Sequence, residues 1–238
     1  MVIILTFLGA VCFFLSIMFV QGRIPRIILA TITGLVFICS TALMTLNYSH
    51  HFGMHQVTTT TSRRIYPVNT KMPLALYQPV GTSGKDDVYI YKAKPTQTKP
   101  SHTQANEYTH SQVKWKQSGT PRLVTTTTRW RFKNNFYKIL YAWSGMDGTL
   151  VKRTNTLEYP RAYVLLTTKQ AKQLQARAKS PAGQQAQAMA RQQGQAYVTG
   201  RVQAAMVKNP HMTAAQIRTV AQQAEQEFQA KMVRALLK

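Results

Sequence analysis

Two long stretches without a charged side chain, residues 2–20 and 27–46, constrain this chain more than any other feature. An α-helix rises about 1.5 Å per residue and the hydrocarbon core of a bilayer is about 30 Å thick, so about 20 apolar residues span it. Each stretch has that length, and both are rich in Ile, Leu, Phe and Val. The pattern predicts two transmembrane helices that form an N-terminal hairpin.

The first stretch differs from a cleaved signal peptide. No basic residue precedes it, its apolar run is too long, and no small-residue cleavage motif follows it. We therefore expect it to be retained as a membrane span.

The link between the two stretches carries Arg23 and Arg26 and no acidic residue. Positively charged short loops stay in the cytoplasm, so these arginines determine the predicted topology. The N-terminus and the large C-terminal region are then extracytoplasmic. Arg63 and Arg64, about 17 residues past the second stretch, favour the opposite orientation and leave a cytoplasmic C-terminal region as the alternative.

The remaining residues, 47–238, are strongly basic. They hold 28 of the 30 basic residues and all seven acidic ones, for a net charge of +21 out of +23. Both cysteines, Cys12 and Cys39, fall in the apolar stretches. We interpret them as small buried hydrophobic side chains, so the basic region has no disulfide.

An internal similarity suggests a duplicated β region. Val-Thr-Thr-Thr-Thr occurs at 57–61 and again at 124–128, and each copy is followed by an apolar stretch, a turn with two glycines (81–84 and 145–148) and another strand-like run. Glycines supply the positive φ angles that hairpin turns require. We favour two copies of a three-stranded meander, over 57–93 and 124–160, with chance similarity of Thr-rich segments as the alternative. Core or sheet-face positions are assigned to Trp115, Trp130, Trp143, Tyr89, Tyr91, Tyr137, Tyr141 and Tyr159.

From residue 168 the composition changes to Gln, Ala, Lys and Arg, which favours helices. Thr167 with Gln170 and Thr213 with Gln216 are spaced as capping boxes. Ser180-Pro181 is typical of a helix start, and Asn209-Pro210 is expected to separate the last two helices. The last helix has an apolar stripe that we expect to pack on the β region or a neighbouring helix: Ile217, Ala221, Ala224, Phe228, Met232 and Leu236.

The sequence contains no catalytic or metal-binding motif that stands out. His50, His51 and His55 have no nearby carboxylate or cysteine to complete a metal site. Asp86, Asp87 and Asp147 lie in or beside the glycine turns, where acidic residues usually serve the turn itself. We predict no catalytic, cofactor or metal site and no enzymatic activity.

The positive charge indicates anionic partners. Outside the membrane these are lipid head groups and anionic envelope polymers, and another membrane protein could contact the spans. On the cytoplasmic side the same charge would favour nucleic acid, with Trp115, Trp130 and Arg131 as stacking candidates. Because the sequence shows no motif of a nucleic-acid-binding fold, we do not expect nucleic acid as the partner.

The two spans with an arginine-containing link, the Val-Thr-Thr-Thr-Thr strand start, the Gln/Ala/Lys-rich end and the total length together resemble DUF4811. This is a membrane-protein family of lactic acid bacteria with unknown function. The resemblance covers nearly the whole chain and implies a Gram-positive cell membrane. It implies no activity, so it assigns no functional residues.

The sequence therefore predicts an α+β membrane protein in three parts. These are a transmembrane hairpin over 1–46, a mostly antiparallel β-rich domain over 47–167 and a helical region over 168–238. The expected role is binding or interaction at the cell envelope by a basic extracytoplasmic domain. The alternatives are an accessory subunit of a membrane transporter, or a cytoplasmic-facing binder of nucleic acid or anionic lipid.

Overall fold

The computed structural model describes residues 1–69, 72–81 and 87–236. The helices are α1 (Val2–Phe19), α2 (Arg23–His50), α3 (Asn135–Leu140), α4 (Thr168–Lys179), α5 (Pro181–Lys208) and α6 (Ala214–Leu236). The strands are β1 (Met54–Arg64), β2 (Leu74–Gln78), β3 (Val88–Tyr91), β4 (Ser101–His102), β5 (Thr109–Lys116), β6 (Arg122–Phe132), β7 (Leu150–Pro160) and β8 (Val164–Thr167). The predicted α+β class is confirmed.

The chain divides into two units. Unit 1 consists of Met1–Thr59 and Thr127–Arg153, and unit 2 of Thr60–Thr126 and Thr154–Lys238. The strands form two four-stranded sheets, in the orders β1-β6-β7-β5 and β4-β3-β2-β8. The division therefore falls within three of the long strands, β1, β6 and β7.

In unit 1, α1 and α2 are both long and apolar enough to cross a membrane. The second helix extends beyond the predicted span of 27–46, because it begins at Arg23 and ends at His50. Pro25 is tolerated in its first turn, where backbone N–H groups have no partner within the helix. A Cβ on Gly9 would lie 3.1 Å from the backbone of Phe37, so the two helices approach closely at Gly9.

The surface of this hairpin is almost entirely exposed. Only 17% of the apolar window of α1 and 6% of that of α2 is buried inside the protein. Cys12 and Cys39 are exposed too, so the expectation that they are buried is wrong for the protein alone. Hydroxyls on the hairpin donate to carbonyls of their own helix, as Thr33 does to Leu29 (2.7 Å) and Thr41 to Phe37 (2.8 Å).

A tight junction connects α2 to β1. His51 ends the helix in the left-handed conformation (φ 53°), and its ring stacks on that of Trp130 with 4.1 Å between centroids. The Asn47 amide, 1% exposed, donates to the Phe52 carbonyl over 2.9 Å. The carbonyl of Gly53 then accepts from the N–H of Lys133.

The two Thr runs lie on neighbouring strands. The hydroxyl of Thr58 is 2.9 Å from that of Thr128, and the hydroxyl of Thr60 is 3.2 Å from that of Thr126. As residue numbers rise along β1 they fall along β6, so these strands run antiparallel. Ten of the eleven β1 residues are exposed, which leaves both faces of this edge strand open.

The second copy of the predicted repeat does not form a meander. Where a middle strand was expected, residues 135–140 form α3, because the Asn134 side chain caps a helix by accepting from the N–H of Tyr137 (3.1 Å). In the first copy the corresponding stretch is β2, which belongs to the other sheet. The glycine turn at 145–148 is present, with φ of 73° at Gly145 and 80° at Gly148. Most of the turn at 81–84 lies outside the described residues.

The core of unit 2 consists largely of tyrosine. Ile65, Ala75, Leu123 and Leu157 are buried with four tyrosine rings, those of Tyr89, Tyr91, Tyr159 and Tyr163. The core positions predicted for Tyr89, Tyr91 and Tyr159 are confirmed. Trp115 lies near the end of strand β5, a sheet-face position, with 43% of it exposed. Trp143 lies in no strand and is 76% exposed, so the position predicted for it is wrong. Alternation along short strands locates buried rings, but it does not locate an aromatic residue in a turn or near a strand end.

The second sheet is mixed. β2 pairs antiparallel with β3, with Tyr77 opposite Tyr89, and parallel with β8, with Leu74 opposite Val164. α4 follows β8 directly and starts with the predicted capping box, in which the Thr167 hydroxyl and the Gln170 side chain bond each other's backbone N–H. Parallel strands need a long crossover connection. β2 and β8 are far enough apart in sequence to provide one, so the sheet is not wholly antiparallel.

The helices of unit 2 pack on this sheet. Leu174 of α4 and Ala230 and Val233 of α6 are buried with Leu74, Val164 and Leu166. Ala224, on the predicted stripe of α6, is 1% exposed, whereas Leu236 at its end is 47% exposed. The predicted stripe faces α5, where the Phe228 ring lies against Gly194 and Tyr197, and Ala230 and Val233 form a second buried face against the sheet.

Gly53→Ala should destabilise the α2–β1 junction. Gly53 has φ of 80°, and an added Cβ would lie 2.8 Å from Cγ of the Tyr137 ring. Gly145→Ala is the matched control, since its φ is 73° with nothing within 4 Å. We expect the control to lose about 1 kcal/mol of unfolding free energy from backbone strain, and Gly53→Ala to lose about 1–3 kcal/mol more from overpacking. Chemical unfolding in detergent measures both; equal losses would contradict the close contact.

The tyrosine core should make the protein sensitive to alkali. Burial, helped by the negative charge of Asp87, raises the pKa of Tyr89 from 10.0 to about 12. The unfolded chain then loses this proton at lower pH than the folded protein, so the stability that it contributes is present below pH 10 and is lost as pH rises toward 12. Between pH 10 and 12, the free energy of unfolding should fall less steeply with pH for Tyr89→Phe than for Tyr48→Phe. The second variant is the control, because it alters an exposed ring. Identical slopes would disprove the assignment.

Candidate anion-binding cleft

The most concentrated positive charge that the structure groups around a cavity lies in unit 2, beside the pair α5 and α6. Both helices begin with strong caps. The Ser180 hydroxyl accepts from the N–H of Gly183 ahead of α5, and the Thr213 hydroxyl accepts from the N–H of Gln216 ahead of α6, the second predicted capping box. Asn209 ends α5, as Asn209-Pro210 predicted. These local signals fix where each helix starts and therefore which side chains face the cavity.

Four side chains connect α5 to α6. Glu227 accepts from Arg201 over 3.2 Å and from the Tyr197 hydroxyl over 3.3 Å. The Lys231 ammonium lies 4.7 Å from the centroid of the Tyr197 ring and donates to its hydroxyl over 3.3 Å. Because Arg201 and Glu227 are 54% and 40% exposed, their ion pair contributes little stability. The main effect of the ion pair is to hold the Arg201 and Glu227 side chains in place at the rim of the cavity.

The opposite wall is the loop that follows β7. The N–H of Arg161 donates to the carbonyl of Lys116, at the end of β5, over 2.9 Å. The carbonyl of Arg161 accepts from the Arg234 guanidinium on α6 over 3.0 Å, and Arg234 also reaches the carbonyl of Tyr163. The backbone of Arg161 is thus held from both sides.

Together these elements enclose a cleft of about 490 Å³. Four cationic side chains line it, those of Arg161, Arg201, Lys231 and Arg234, and Glu227 is the acidic residue among the described lining residues. Guanidinium groups match the geometry of phosphate and carboxylate oxygens, and ammonium groups act as point charges for them. The cleft can therefore hold an anionic group, and Glu227 neutralises only part of its charge.

A second cleft in unit 2, of about 730 Å³, is lined mainly by apolar residues of α4, α5 and α6, among them Leu174, Val198, Phe228 and Met232. It has no concentrated charge of the kind that lines the first cleft. Gly194 lines this cleft, and an added Cβ there would lie 3.1 Å from the Phe228 ring, so α5 and α6 approach closely at this residue.

The residues that sequence analysis considered lie elsewhere. Arg23 and Arg26 are in the first turn of α2, where the Arg26 side chain donates to the Val20 carbonyl over 3.0 Å. His50, His51 and His55 do not come together as a metal site, and within residues 1–69, 72–81 and 87–236 no three His, Cys, Asp or Glu side chains do.

The turn acids and the stacking candidates do not form a site either. Asp147 pairs with Arg131 over 2.9 Å beside the second glycine turn. Asp86 lies outside the described residues. The ring of Trp130, a candidate for nucleic-acid stacking, is covered by His51.

The cleft could not be predicted from the sequence because most of its cations are far apart in the chain, at positions 161, 201, 231 and 234. A partial signal was present. Tyr197 and Arg201 are four residues apart, as are Glu227 and Lys231, so each pair lies on one face of its helix. The pairing between helices, and with a loop about 70 residues earlier, has no local signature.

One protein-family model matches the chain, described as Domain of unknown function (DUF4811), over residues 22–174. No curated protein and no solved structure matches it. The matched region includes α2, both sheets and α3, together with the loop that carries Arg161, while α5 and α6 lie beyond it. Because the match spans more than half of the 238 residues, the chain belongs to the DUF4811 family.

Proposed function

We propose that this protein is a membrane-anchored binding protein that holds an anionic polymer of the cell envelope, outside the membrane, in the cleft lined by Arg161, Arg201, Lys231 and Arg234. The observation that carries the proposal is the convergence of four cationic side chains on one cavity with a single, already engaged carboxylate. The proposed role is binding, since the Glu227 carboxylate beside these cations is already bonded to Arg201 and Tyr197.

The exposure of the hairpin supports membrane anchoring. An apolar helix in the core of a soluble protein is mostly buried, whereas at most 17% of either apolar window is covered here. Side chains such as Phe7 and Ile32 are 69% and 57% exposed. Burying apolar surface is worth roughly 25 cal/mol per Å², so a bilayer would strongly stabilise the hairpin relative to water.

The charge distribution supports an anionic partner. A net charge of +23 produces a positive potential well beyond the cleft, which attracts a polyanion before contact. Glu227 is already hydrogen-bonded to Arg201 and Tyr197, which leaves Arg161 and Lys231 as exposed cations. A ligand with regularly spaced phosphates or carboxylates could contact both.

Arg23 and Arg26 support the outward orientation. Both lie in the first turn of α2, at the hairpin loop, and the loop residues Val20, Gln21 and Gly22 carry no negative charge. A short loop with two arginines favours the cytoplasmic side. The basic region then meets wall polymers and lipid head groups instead of nucleic acid.

Removing two cleft cations should weaken binding of a polyanion. We expect Arg161→Gln with Lys231→Gln to lower the affinity for synthetic poly(glycerol phosphate) about tenfold or more, since each cation near an anionic partner contributes about 1 kcal/mol. The full-length protein in detergent is titrated by fluorescence anisotropy at fixed ionic strength. Affinity should fall as salt rises.

Lys169→Gln with Lys172→Gln is the matched control, because it removes the same charge from exposed positions on α4 outside the cleft. It should change the affinity little. If both double variants weaken binding equally, diffuse charge is responsible and the cleft is not the site. Preference for single-stranded DNA over poly(glycerol phosphate) would favour the cytoplasmic alternative.

Arg23→Gln with Arg26→Gln should reduce the fraction of molecules with the basic region outside. Without these charges the hairpin loop loses its preference for the cytoplasm. In intact cells, added protease should digest residues 47–238 of the original protein and spare more of the variant. Lys152→Gln with Arg153→Gln, which removes the same charge elsewhere, should leave digestion unchanged. Resistance of the original protein until lysis would refute the outward orientation.

A further inference from the structure

In unit 1, three large apolar side chains of the α3 segment point away from the protein. Phe136, Ile139 and Trp143 are 66%, 58% and 76% exposed. Phe136 and Ile139 are three residues apart and therefore lie on one side of α3, and Trp143 lies in the turn that follows the helix. We call these three residues the α3 patch. Water-exposed Trp and Phe at such density usually mark a binding surface.

The other side of the segment packs inward. The rings of Tyr137 and Tyr141 stack with 6.4 Å between centroids, and Tyr141, 1% exposed, also stacks on Phe132. The Asn134 cap fixes where α3 begins. Trp143 has the left-handed conformation (φ 68°), which is uncommon for a bulky residue. The exposed orientation of the patch is therefore imposed by the surrounding structure.

The position of the α3 patch relative to the hairpin is also defined. The N-terminal ammonium of Met1 donates to the carbonyl of Ile139 over 3.3 Å. At the end of α2, Phe52 packs edge-on against Tyr137, with 5.9 Å between ring centroids. The α3 segment thus lies beside the start of α1 and the end of α2. This is the opposite end of the hairpin from Arg23 and Arg26.

Exposed cationic and aromatic residues occur in and beside the segments that carry or contact the patch. Lys133 and Lys138 are exposed at its edges, and Tyr48, in the last turns of α2, is 72% exposed. Trp and Tyr concentrate at membrane interfaces, where an apolar ring meets polar head groups, and lysines there attract anionic lipid. Apolar side chains, aromatic rings and positive charge all fit one partner.

We infer that the α3 patch inserts into the head-group region of the bilayer that the hairpin crosses, with Lys133 and Lys138 against anionic lipid. The patch adds a second contact with the membrane at the end of the hairpin where α2 leads into β1. It lies flat at the interface, as amphipathic segments with one apolar side do. The inference rests on the proposed membrane anchoring but not on the anion-binding cleft.

Tryptophan fluorescence in vesicles tests the inference. The full chain with Trp115→Phe and Trp130→Phe retains Trp143 as its only tryptophan. It is reconstituted in vesicles of phosphatidylcholine and phosphatidylglycerol, with or without lipids brominated near the glycerol end of the acyl chain. We expect bromination to reduce Trp143 emission roughly twofold, and iodide in the water to have little effect, as for a ring at the interface.

Phe136→Ser with Ile139→Ser in this background should reduce quenching by brominated lipid and increase quenching by iodide. Met189→Ser with Val207→Ser removes two apolar side chains of α5 that are at least as exposed and should alter neither. Flotation of the vesicles separates the two proposals. If the protein floats but Trp143 is quenched by iodide alone, the α3 contact is wrong and anchoring stands. If neither quencher reaches Trp143, a protein surface covers the patch and the inference fails. If the protein does not float, anchoring and the inference both fail.

Discussion

The lack of protein cover over most of α1 and α2 is the constraint on which the rest of the structure depends. The two helices pack on each other through Gly9 and leave most of their apolar surface outward. At roughly 25 cal/mol per Å², so much apolar surface cannot be left in water without aggregation or insertion into lipid. Under the proposed membrane anchoring, every other element must be compatible with a hairpin whose sides face lipid.

The junction after α2 shows how backbone groups find partners where the apolar helix ends. Backbone N–H and C=O groups outside a helix need partners, and in lipid none are supplied by water. Here Asn47 satisfies the carbonyl of Phe52, and Lys133 satisfies that of Gly53. The β1 strand that follows is polar on both faces, with hydroxyl pairs such as Thr58 with Thr128 across to β6. The similarity of the two Thr runs thus has a local physical basis, since they face each other across one pair of strands.

Features governed by local chemistry could be predicted from the sequence, and features that depend on distant pairing could not. The two apolar helices, the caps at Thr167 and Thr213 and the buried Tyr89 and Tyr159 follow from hydropathy, hydrogen bonding and alternation. α3 was mistaken for a strand because its outer side is apolar, and an apolar run alone does not distinguish the two.

The parallel pairing of β2 with β8 and the convergence of cations in the cleft have a different origin. They depend on which segments meet in the folded protein, and that information does not lie within any window of the sequence. Leu74 pairs with Val164, and Arg234 reaches the carbonyl of Arg161, across separations of 90 and 73 residues. Only the folded chain brings such residues together, so the candidate site was the least predictable part.

Under the proposed function, attachment to the membrane explains why a cleft of low affinity is sufficient. The cleft cations are exposed and one is already paired, so a single anionic group would bind weakly there. Attachment to a surface changes this requirement, because a partner held in the same envelope is present at high effective concentration, and a polymer offers many equivalent groups. A weak and reversible site then suffices, whereas the same cleft on a freely diffusing protein would bind too weakly to retain its partner.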